Sequence, residues 1–246
     1  MIITSLKSKG ALMALPIQWI PHHPTLQSYR KVFSLFPFGK AILNSLFVSI
    51  TFTVITVLSS SMAAFAIAKI RFKGAGAFFR MYLMSMMIPT QITLIPLFII
   101  MSRLNLTNTY TSVISPSIFS AFSIFLLVQN LRSLPDDFME AAKIDGASLW
   151  TIYFRVIMPM EKPVLATLVV TTFMGAWNDY LWPLVMLSDK TKMTLTLALN
   201  TLNGQYGTEY NVLMAGCLIS MVPIIVVYII AQTQMKQGIT AGGVKG

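Results

Sequence analysis

The chain has 246 residues, of which 55% are hydrophobic and only 11% are charged. This composition excludes an ordinary water-soluble domain, in which about a quarter of the residues are charged. The net charge of +10 does not indicate nucleic-acid binding, because the basic residues lie in short segments between apolar runs rather than on one face. The composition therefore predicts a membrane protein.

Long runs without a charged residue predict the membrane-spanning helices. Four runs, each at least 22 residues long, cover residues 41–68, 81–102, 104–131 and 210–235. A helix needs about 20 apolar residues to cross the hydrocarbon core, and it satisfies its own backbone hydrogen bonds there. A fifth run, residues 163–188, is interrupted only by Asp179. We therefore predict an all-α, polytopic membrane bundle with five spanning helices.

The basic residues between these runs predict the orientation of the helices. The connection at residues 69–80 carries four basic residues and is predicted to be cytoplasmic, whereas the next connection carries only Arg103. The loop at residues 132–162, with four basic residues, is again cytoplasmic. The external loop at 189–209 and the tail carry two basic residues each, so their sides of the membrane are decided only by the alternation of inside and outside segments. The predicted N-terminal segment, transmembrane domain and cytoplasmic tail are residues 1–40, 41–235 and 236–246.

The N-terminal segment fits this alternation poorly. The topology places residues 1–40 outside the membrane, although they carry five basic residues. A chain with a further helix before Met1 would translocate this segment as an ordinary loop, so we predict a missing first span. The segment does not read as a signal peptide, because the apolar stretch after Lys9 is short and is broken by Pro16. The alternative is a peripheral arm on the membrane surface, with Trp19 at the interface.

Residues suited to catalysis or metal binding are few. Cys217 is the single cysteine and lies in an apolar run, so we expect neither a disulfide framework nor a thiolate metal site. His22 and His23 are adjacent, and neighbours in sequence point in different directions rather than toward one metal ion. The sequence has no phosphate-binding loop, zinc-protease motif or Ser/His/Asp set. We therefore expect no catalytic residue, metal or cofactor, and any energy for the function must come from outside this chain.

The loop at residues 132–162 predicts a helix–turn–helix hairpin. Pro135 suits the first turn of a helix, and the two aspartates after it lie at the positive end of the helix dipole. Gly146 provides a left-handed stop for this helix. Apolar residues then recur at spacings of three and four over residues 149–157, which predicts a second, amphipathic helix before the next span.

Small side chains on the first helix of the hairpin suit a protein contact. Ala141 and Ala142 lie beside Glu140 and allow a partner to approach closely, as when a short helix sits in a groove of another protein. The alternative from the residues alone is a hairpin that lies on lipid headgroups.

The hairpin also resembles the EAA loop in the permease subunits of ABC importers. The matching residues are Glu140-Ala141-Ala142, Asp145-Gly146-Ala147, Ile157 and Pro159. In that family the loop docks on the ATPase subunits and transmits their nucleotide-driven closure to the membrane helices. The resemblance thus implies an ATPase-coupling loop made of a coupling helix and its turn. Its residues in this chain would be Glu140, Ala141, Ala142, Asp145, Gly146 and Pro159.

The resemblance covers almost the whole chain and is to the binding-protein-dependent sugar permeases, in particular the maltose-type inner-membrane subunit. Its other landmarks are residues 24–29, 88–91, 175–179 and 242–246. It implies the type I ABC importer permease fold, normally with six spans, in the bacterial inner membrane, and transport of a sugar or similar solute. The departure is at the start, where the first span is reduced to about seven residues.

The resemblance also implies partners. These are a second homologous permease subunit, two ATPase subunits that hydrolyse ATP, an extracytoplasmic solute-binding protein and membrane lipid. The chain itself would not be an enzyme, and no nucleic acid is implied.

Asp179 is a candidate for the translocation pathway, together with Trp177 and Asn178. An ionisable side chain within a span is a functional candidate by default. Asp179 also lies near the outer end of its helix beside aromatic residues that favour the interface, so an anchoring or structural role is the alternative. Prolines within the apolar runs are candidate kinks, at Pro89, Pro96, Pro116, Pro183 and Pro223.

The main alternative function is an ion-coupled secondary transporter. Such a protein normally needs buried carboxylates or paired repeats with broken helices, and Asp179 is a lone candidate. A membrane-embedded enzyme would need paired catalytic groups at helical spacing within the spans, and the sequence shows none. A secondary transporter would also leave the hairpin without a role.

Overall fold

The computed structural model describes residues 1–12, 19–21, 23–70, 72–204 and 209–242. Within these ranges the chain forms helices and turns without a strand, which confirms the all-α prediction. The expectations for Pro16, His22, Arg71 and the last four residues of the 242–246 landmark lie outside the described residues.

The helices follow one another in chain order with short connections. They are α1 (Ile2–Ser5), α2 (Lys9–Leu12), α3 (Gln27–Leu35), α4 (Phe38–Lys69), α5 (Ala75–Ser85), α6 (Thr90–Arg103), α7 (Tyr110–Ile114), α8 (Ala121–Ser133), α9 (Asp137–Ile144), α10 (Leu149–Ile152), α11 (Met158–Met160), α12 (Lys162–Asn178), α13 (Leu181–Met186), α14 (Leu195–Gly204) and α15 (Tyr210–Gly242). A 3₁₀ turn, Ser115–Ser117, extends α7, and a π-helix, Tyr153–Ile157, joins α10 to α11.

Two helices among the described residues are individually long and apolar enough to cross a membrane, Phe38–Lys69 and Tyr210–Gln234. Three further candidates are pairs of helices that bend at a short break. The bend is 103° between α5 and α6, 40° between α7 with its 3₁₀ turn and α8, and 79° between Leu149–Met160 and α12. If each bent pair forms one span, the total is five, the number predicted.

The run at residues 81–102 does not form the continuous helix that its composition predicts. Helix α5 ends at Ser85 and α6 begins at Thr90. Pro89 explains the interruption, because it lacks a backbone N–H and its ring disfavours helical backbone at the preceding residue. Pro96 and Pro223 instead lie inside helices. The kink-forming proline is therefore identified by the structure and not by composition.

The chain folds into two compact units, each made of three segments. The first unit comprises Met1–Ile50, Met101–Val113 and Met174–Val227. The second unit comprises Thr51–Ile100, Ile114–Phe173 and Tyr228–Gly246. The predicted division into N-terminal segment, transmembrane domain and tail is topological, and it stays a prediction, as does a further span before Met1.

Helix α4 buries most of its polar side chains together with a few apolar ones, such as Val57 and Phe65, and it exposes many of its other apolar side chains. The buried residues include Asn44, Ser45, Ser49, Thr53, Thr56, Ser60 and Ser61. The exposed ones include Leu43, Phe47, Ile50, Val54, Leu58 and Met62. This pattern is the reverse of a soluble helix, and it suits a helix whose outer face meets hydrocarbon.

A hydrophobic core in the second unit positions the hairpin. Leu127 and Leu131 of α8 pack there with Phe65 of α4 and Leu168 of α12. The hairpin contributes Met139, Ile152, Tyr153 and Ile157 to the same core. The hairpin is thus fastened to the helices on one side by buried apolar side chains.

Polar side chains hold together the connections of the first unit. Asn108, with a φ of 59°, accepts hydrogen bonds through Oδ1 from the backbone N–H groups of Ser188 and Asp189, at 3.3 and 3.1 Å. Asn44 Nδ2 donates to the carbonyl oxygens of Thr191 and Met193, at 3.0 and 2.9 Å. Both asparagines therefore fix the chain between α13 and α14.

An ion-paired cluster links the N-terminal segment to the start of α15. Glu209 accepts hydrogen bonds from Lys31 Nζ at 2.6 Å and from Lys9 Nζ at 3.2 Å. The hydrogen bond from Lys31 is the main reason that the pKa of the Glu209 carboxyl lies below its usual value, and Lys9 adds to the effect. Asn211 Nδ2 also donates to Ser28 Oγ at 3.1 Å.

Candidate functional site

The structure confirms the predicted helix–turn–helix hairpin at residues 137–160, hereafter the hairpin. The first helix, α9, begins directly after Asp136, and the N–H of Glu140 donates to the carbonyl oxygen of Asp136 at 3.0 Å. Gly146 has a φ of 78°, the left-handed conformation expected of a residue that ends a helix. Ser148 Oγ then accepts from the N–H of Thr151 at 3.2 Å and caps α10. Local signals therefore fix both ends of the turn.

Helix α9 has one buried side chain, that of Met139, which is 3% exposed and lies in the core of the second unit. Glu140, Ala141, Asp145 and Gly146 are exposed, and Ala142 is half-buried against the core. The residues of α9 and its turn that the resemblance assigns to ATPase coupling thus lie on one continuous surface segment. This segment is accessible to another molecule.

Large apolar side chains on the hairpin are also exposed. Ile144 is 87% exposed and Trp150 is 63% exposed. Phe138 and Phe154 are exposed to about half of their surface, at 49% and 50%. Exposed apolar residues that cluster beside charged ones are typical of a surface that another protein or the membrane interface covers.

The second half of the hairpin differs from the regular amphipathic helix that the sequence predicts. After α10 the chain forms the π-helix Tyr153–Ile157, and Pro159 lies in the first turn of α11. Tyr153 is buried, and its hydroxyl shares a hydrogen bond of 2.5 Å with Ser61 Oγ of α4. Its ring also packs on Phe65 of α4, with ring centroids 5.4 Å apart. The unusual turn therefore places Tyr153 against α4.

Two polar pairs flank the hairpin, and sequence reasoning missed both. Lys69 Nζ, at the end of α4, donates to Asp136 Oδ1 at 2.5 Å. Asn130 Nδ2 of α8 donates to Glu161 Oε1 at 2.8 Å. Lys69 was interpreted only as a topology signal, and no local pattern predicts a pairing of residues 67 apart. Glu161 had one weak signal, a carboxylate between two prolines at the start of a span.

A groove with a volume of about 280 Å³ runs beside α9. Its lining combines charged and apolar side chains, from Lys69, Ile70, Asp136, Met139, Glu140, Lys143 and Leu149. The same groove contains Glu140 of the predicted coupling helix and the Lys69–Asp136 pair. No cluster of metal-ligating side chains occurs among the described residues.

The three candidate pathway residues occupy different environments. Trp177 is 2% exposed, and its Nε1 donates to the carbonyl oxygen of Ser220 at 3.1 Å. Asp179 lies in the break after α12, where its Oδ1 accepts from the N–H of Trp182 at 3.4 Å. Asn178 is exposed at the end of α12. Asp179 thus has a hydrogen-bond partner that suits the structural role considered for it. Its role in the translocation pathway stays a prediction.

The break between α5 and α6 contains Pro89, which the sequence analysis named as a candidate kink, but that analysis did not assign the break to the pathway. Met87 is 82% exposed and Ile88 is 53% exposed, and Thr90 with Gln91 adds exposed polar side chains next to them. Non-helical backbone at membrane depth is tolerated where it lies against protein or lines a water-filled cavity, but not where it faces lipid. This break is therefore a further pathway candidate.

Comparisons with known proteins agree with the resemblance. Residues 55–241 match the family described as binding-protein-dependent transport system inner membrane component. The arabinooligosaccharides transport system permease protein AraQ of Halalkalibacterium halodurans is 40% identical over 203 residues, which cover 82% of this chain and 73% of the relative. AraQ of Bacillus subtilis (strain 168) is 32% identical over 250 residues, covering all of this chain and 89% of the relative.

A solved structure has the same fold. It is a bacterial ABC transporter involved in the import of the acidic polysaccharide alginate, with a TM-score of 0.85 and 25% sequence identity. The match covers 94% of this chain and 87% of that one.

Proposed function

The chain belongs to the family of binding-protein-dependent transport system inner membrane components, and we propose that it carries a sugar or an oligosaccharide across the bacterial inner membrane. It is a multi-pass permease subunit of an ABC importer and not an enzyme, since ATP hydrolysis in this family takes place in separate subunits. The solute class is supported by the two AraQ relatives, whose names specify arabinooligosaccharides.

The partners follow from the family. The permease works with a second, similar permease subunit, with ATPase subunits and with a solute-binding protein that delivers the solute from outside. The lipid bilayer surrounds the apolar outer faces of helices such as α4.

The proposed docking surface for the ATPases is the hairpin. This proposal rests on the observation that α9 has one buried side and one exposed side. Met139 anchors the helix in the core, while Glu140, Ala141 and the 87% exposed Ile144 remain accessible. A short helix with small and apolar side chains on its free face suits a groove in a partner. Asp145, Gly146 and Ala142 complete this surface, and Pro159 continues the loop toward α12.

The proposed translocation pathway includes Asn178 of the first unit, and the α5–α6 break of the second unit is a separate candidate. Asn178 is exposed, and an exposed amide is more favourable toward water or solute than toward lipid. The hydrogen bonds of Trp177 and Asp179 support a positioning role for these two residues beside Asn178. The exposed backbone at Met87 and Ile88 is suited to face water or the second permease subunit.

A crosslinking experiment tests the coupling role. A cysteine replaces exposed Ala141 in a Cys217→Ser background, and the importer is purified through a tag on this chain and treated with a thiol crosslinker. We expect a nucleotide-sensitive crosslink to the ATPase subunit. Gly146 is avoided as a labelling site because its φ of 78° strains any side chain. The matched control is Lys190→Cys, an exposed site on the predicted external side, which should not crosslink to the ATPase.

The opposite outcome would revive the main alternative. If folded, inserted protein gives no Ala141→Cys crosslink and the chain alone supports uptake driven by an ion gradient, it is a secondary transporter and the proposal fails.

A further inference from the structure

The entry to the hairpin is fastened to α4 by a largely buried cation. Lys69 is the last residue of α4, and its side chain is 4% exposed. Its Nζ donates to the carbonyl oxygen of Leu134 at 2.7 Å and to Asp136 Oδ1 at 2.5 Å. A buried ammonium needs such partners, because leaving it unpaired is strongly unfavourable. The contact therefore fixes the two residues on either side of Pro135 to the end of α4.

The exit from the hairpin is fastened to α8 by a buried carboxyl group. Glu161 lies between α11 and α12 and is 2% exposed. Its Oε1 accepts a hydrogen bond from Asn130 Nδ2 of α8 at 2.8 Å. Its Oε2 is buried and has no hydrogen-bond partner among the described residues. A single amide thus provides the hydrogen bond that holds this group at the 79° bend before α12.

Between these two contacts, the hairpin makes few other polar contacts with the helices on which it packs. Met139 and Ile157 contact the core through apolar side chains, and Tyr153 adds its hydrogen bond to Ser61. Apolar contacts are non-directional and allow sliding, whereas hydrogen bonds to charged groups fix a distance and an orientation. The two polar pairs are therefore the directional links at the hairpin's two ends.

We propose that Lys69–Asp136 and Asn130–Glu161 act as two tethers that make the hairpin move together with the adjoining turns of α4, α8 and α12. The four side chains are positioning residues, since they do not contact a solute or a nucleotide. This inference rests on the proposed docking of the hairpin on the ATPases, and it adds which side chains carry the resulting movement into the membrane helices. When a tether is broken, the ATPase subunits should still bind the permease and hydrolyse ATP, but the membrane helices should respond less to the ATP.

The Asn130–Glu161 pair allows this role to be separated from stability alone. Glu161→Gln keeps an oxygen that accepts from Asn130 and serves as the matched control. The double variant Asn130→Leu/Glu161→Leu removes the tether without leaving a buried polar group unpaired, and replacing both partners by apolar groups is often nearly neutral for stability. If the pair only supports folding, the double variant either assembles with the full response to ATP or fails to assemble, whereas a tether predicts a double variant that assembles and responds less.

The readout is the response of α12 to ATP. Thr171, exposed on α12, is replaced by cysteine in the Cys217→Ser background, and the importer is purified through a tag on this chain and placed in lipid nanodiscs. The rate of labelling by a thiol reagent is measured with and without ATP, beside the ATPase rate of the same sample. No solute is needed for this measurement.

We expect ATP to change the labelling rate in the parent protein and in Glu161→Gln. In the double variant, the effect of ATP on the labelling rate should be about 2- to 30-fold smaller, which is the range by which residues along a coupling route alter coupling. The ATPase subunits should still copurify and hydrolyse ATP. The double variant Lys69→Leu/Asp136→Leu, which leaves no unpaired buried ammonium, repeats the test at the other tether, with Asp136→Asn as its control.

Two results would overturn the inference. One is a double variant that assembles and shows the parent's full response to ATP. The other is a double variant that fails to assemble while Glu161→Gln assembles normally, because the pair is then structural. A different result, a parent protein that binds no ATPase subunit, would instead overturn the proposed function from which the inference starts.

Discussion

The two units of the molecule hold their segments together by different means. The second unit has an apolar core formed by α4, α8, α12 and the hairpin, and its buried charged groups sit at the borders of the hairpin. In the first unit, asparagine side chains and surface ion pairs fasten the connections between helices. Both units bury apolar side chains, such as Phe38, Trp177 and Leu195 in the first, and the first unit also depends on hydrogen bonds to hold its loops.

Substitutions in the packed core and at the loop hydrogen bonds should therefore differ in how much they destabilise the chain. Truncating a core side chain in the second unit removes many contacts at once, whereas breaking one hydrogen bond in the first unit releases one loop. The expected order of effects below follows from this contrast, and each measurement uses the purified chain in lipid nanodiscs.

The largest loss should come from Leu168→Ala in the core of the second unit. Leu168 is 0% exposed, and removal of its side chain leaves a cavity that should destabilise the chain by about 2–5 kcal/mol. Thermal unfolding measures the effect. The control is Leu184→Ala in the first unit, where the side chain is 46% exposed and the change should be within about 0.5 kcal/mol. Equal losses at both sites would contradict the idea of a packed second unit.

The next largest effect should come from Gly216→Ala, where the first unit does depend on packing. A Cβ at Gly216 would lie 2.8 Å from Leu199 Cδ2 and 3.5 Å from the Phe38 ring. Such overpacking should destabilise the chain by about 1–3 kcal/mol. Gly175→Ala is the matched control, since its Cβ would meet no atom within 4 Å. A melting temperature that is unchanged in both variants would show that Leu199 moves aside freely.

A smaller loss, about 1–2 kcal/mol, is expected for Asn108→Ala. Alanine would remove the acceptor for two backbone N–H groups, and it lacks the polar side chain through which asparagine tolerates a φ of 59°. Asn108→Asp keeps an acceptor oxygen and should recover most of the stability. Hydrogen exchange of the Ser188 and Asp189 amides would report the effect locally, and unchanged protection in Asn108→Ala would refute the fastening role.

The smallest effect should be that of Glu209→Gln, because ion pairs near the surface contribute no more than about 1 kcal/mol, and the paired lysines, Lys9 and Lys31, are 76% and 39% exposed. The folded-state pKa of Glu209 lies below its ordinary value of 4.5, so its stabilising contribution is complete above pH 4.5 and is lost as the pH falls through the folded pKa. The difference in melting temperature between wild type and variant should therefore shrink below pH 4.5. A difference that stays constant with pH would exclude the ion pair as its cause.

The sequence predicts features whose causes are local. Gly146 ends α9 because a left-handed residue must be close to the last helical turn. Four of the five apolar runs correspond to candidate spans because length and composition decide insertion, whereas the run at 163–188 is divided between α12 and α13. The exposed surface of α9 followed from small residues at adjacent positions. These features need no knowledge of a distant segment.

Features that depend on distant contacts were not predictable. The π-helix at Tyr153 accompanies a hydrogen bond to Ser61 and a ring contact with Phe65, which lie on another helix. Glu161 has its partner Asn130 on α8. Five prolines were equivalent candidates for kinks, and only the fold distinguishes Pro89 at a sharp bend from Pro96 within a helix.

The reversed polarity of α4 has a thermodynamic consequence. Heat capacity rises when unfolding exposes apolar surface to water and falls when it exposes polar surface. Helix α4 already presents Leu43, Phe47 and Ile50 outward, and unfolding would newly expose hydroxyl groups such as those of Thr56 and Ser60. Because these outward side chains remain in hydrocarbon as long as the chain stays in the bilayer, unfolding there exposes little of their surface to water, and their contribution to the heat-capacity change is small.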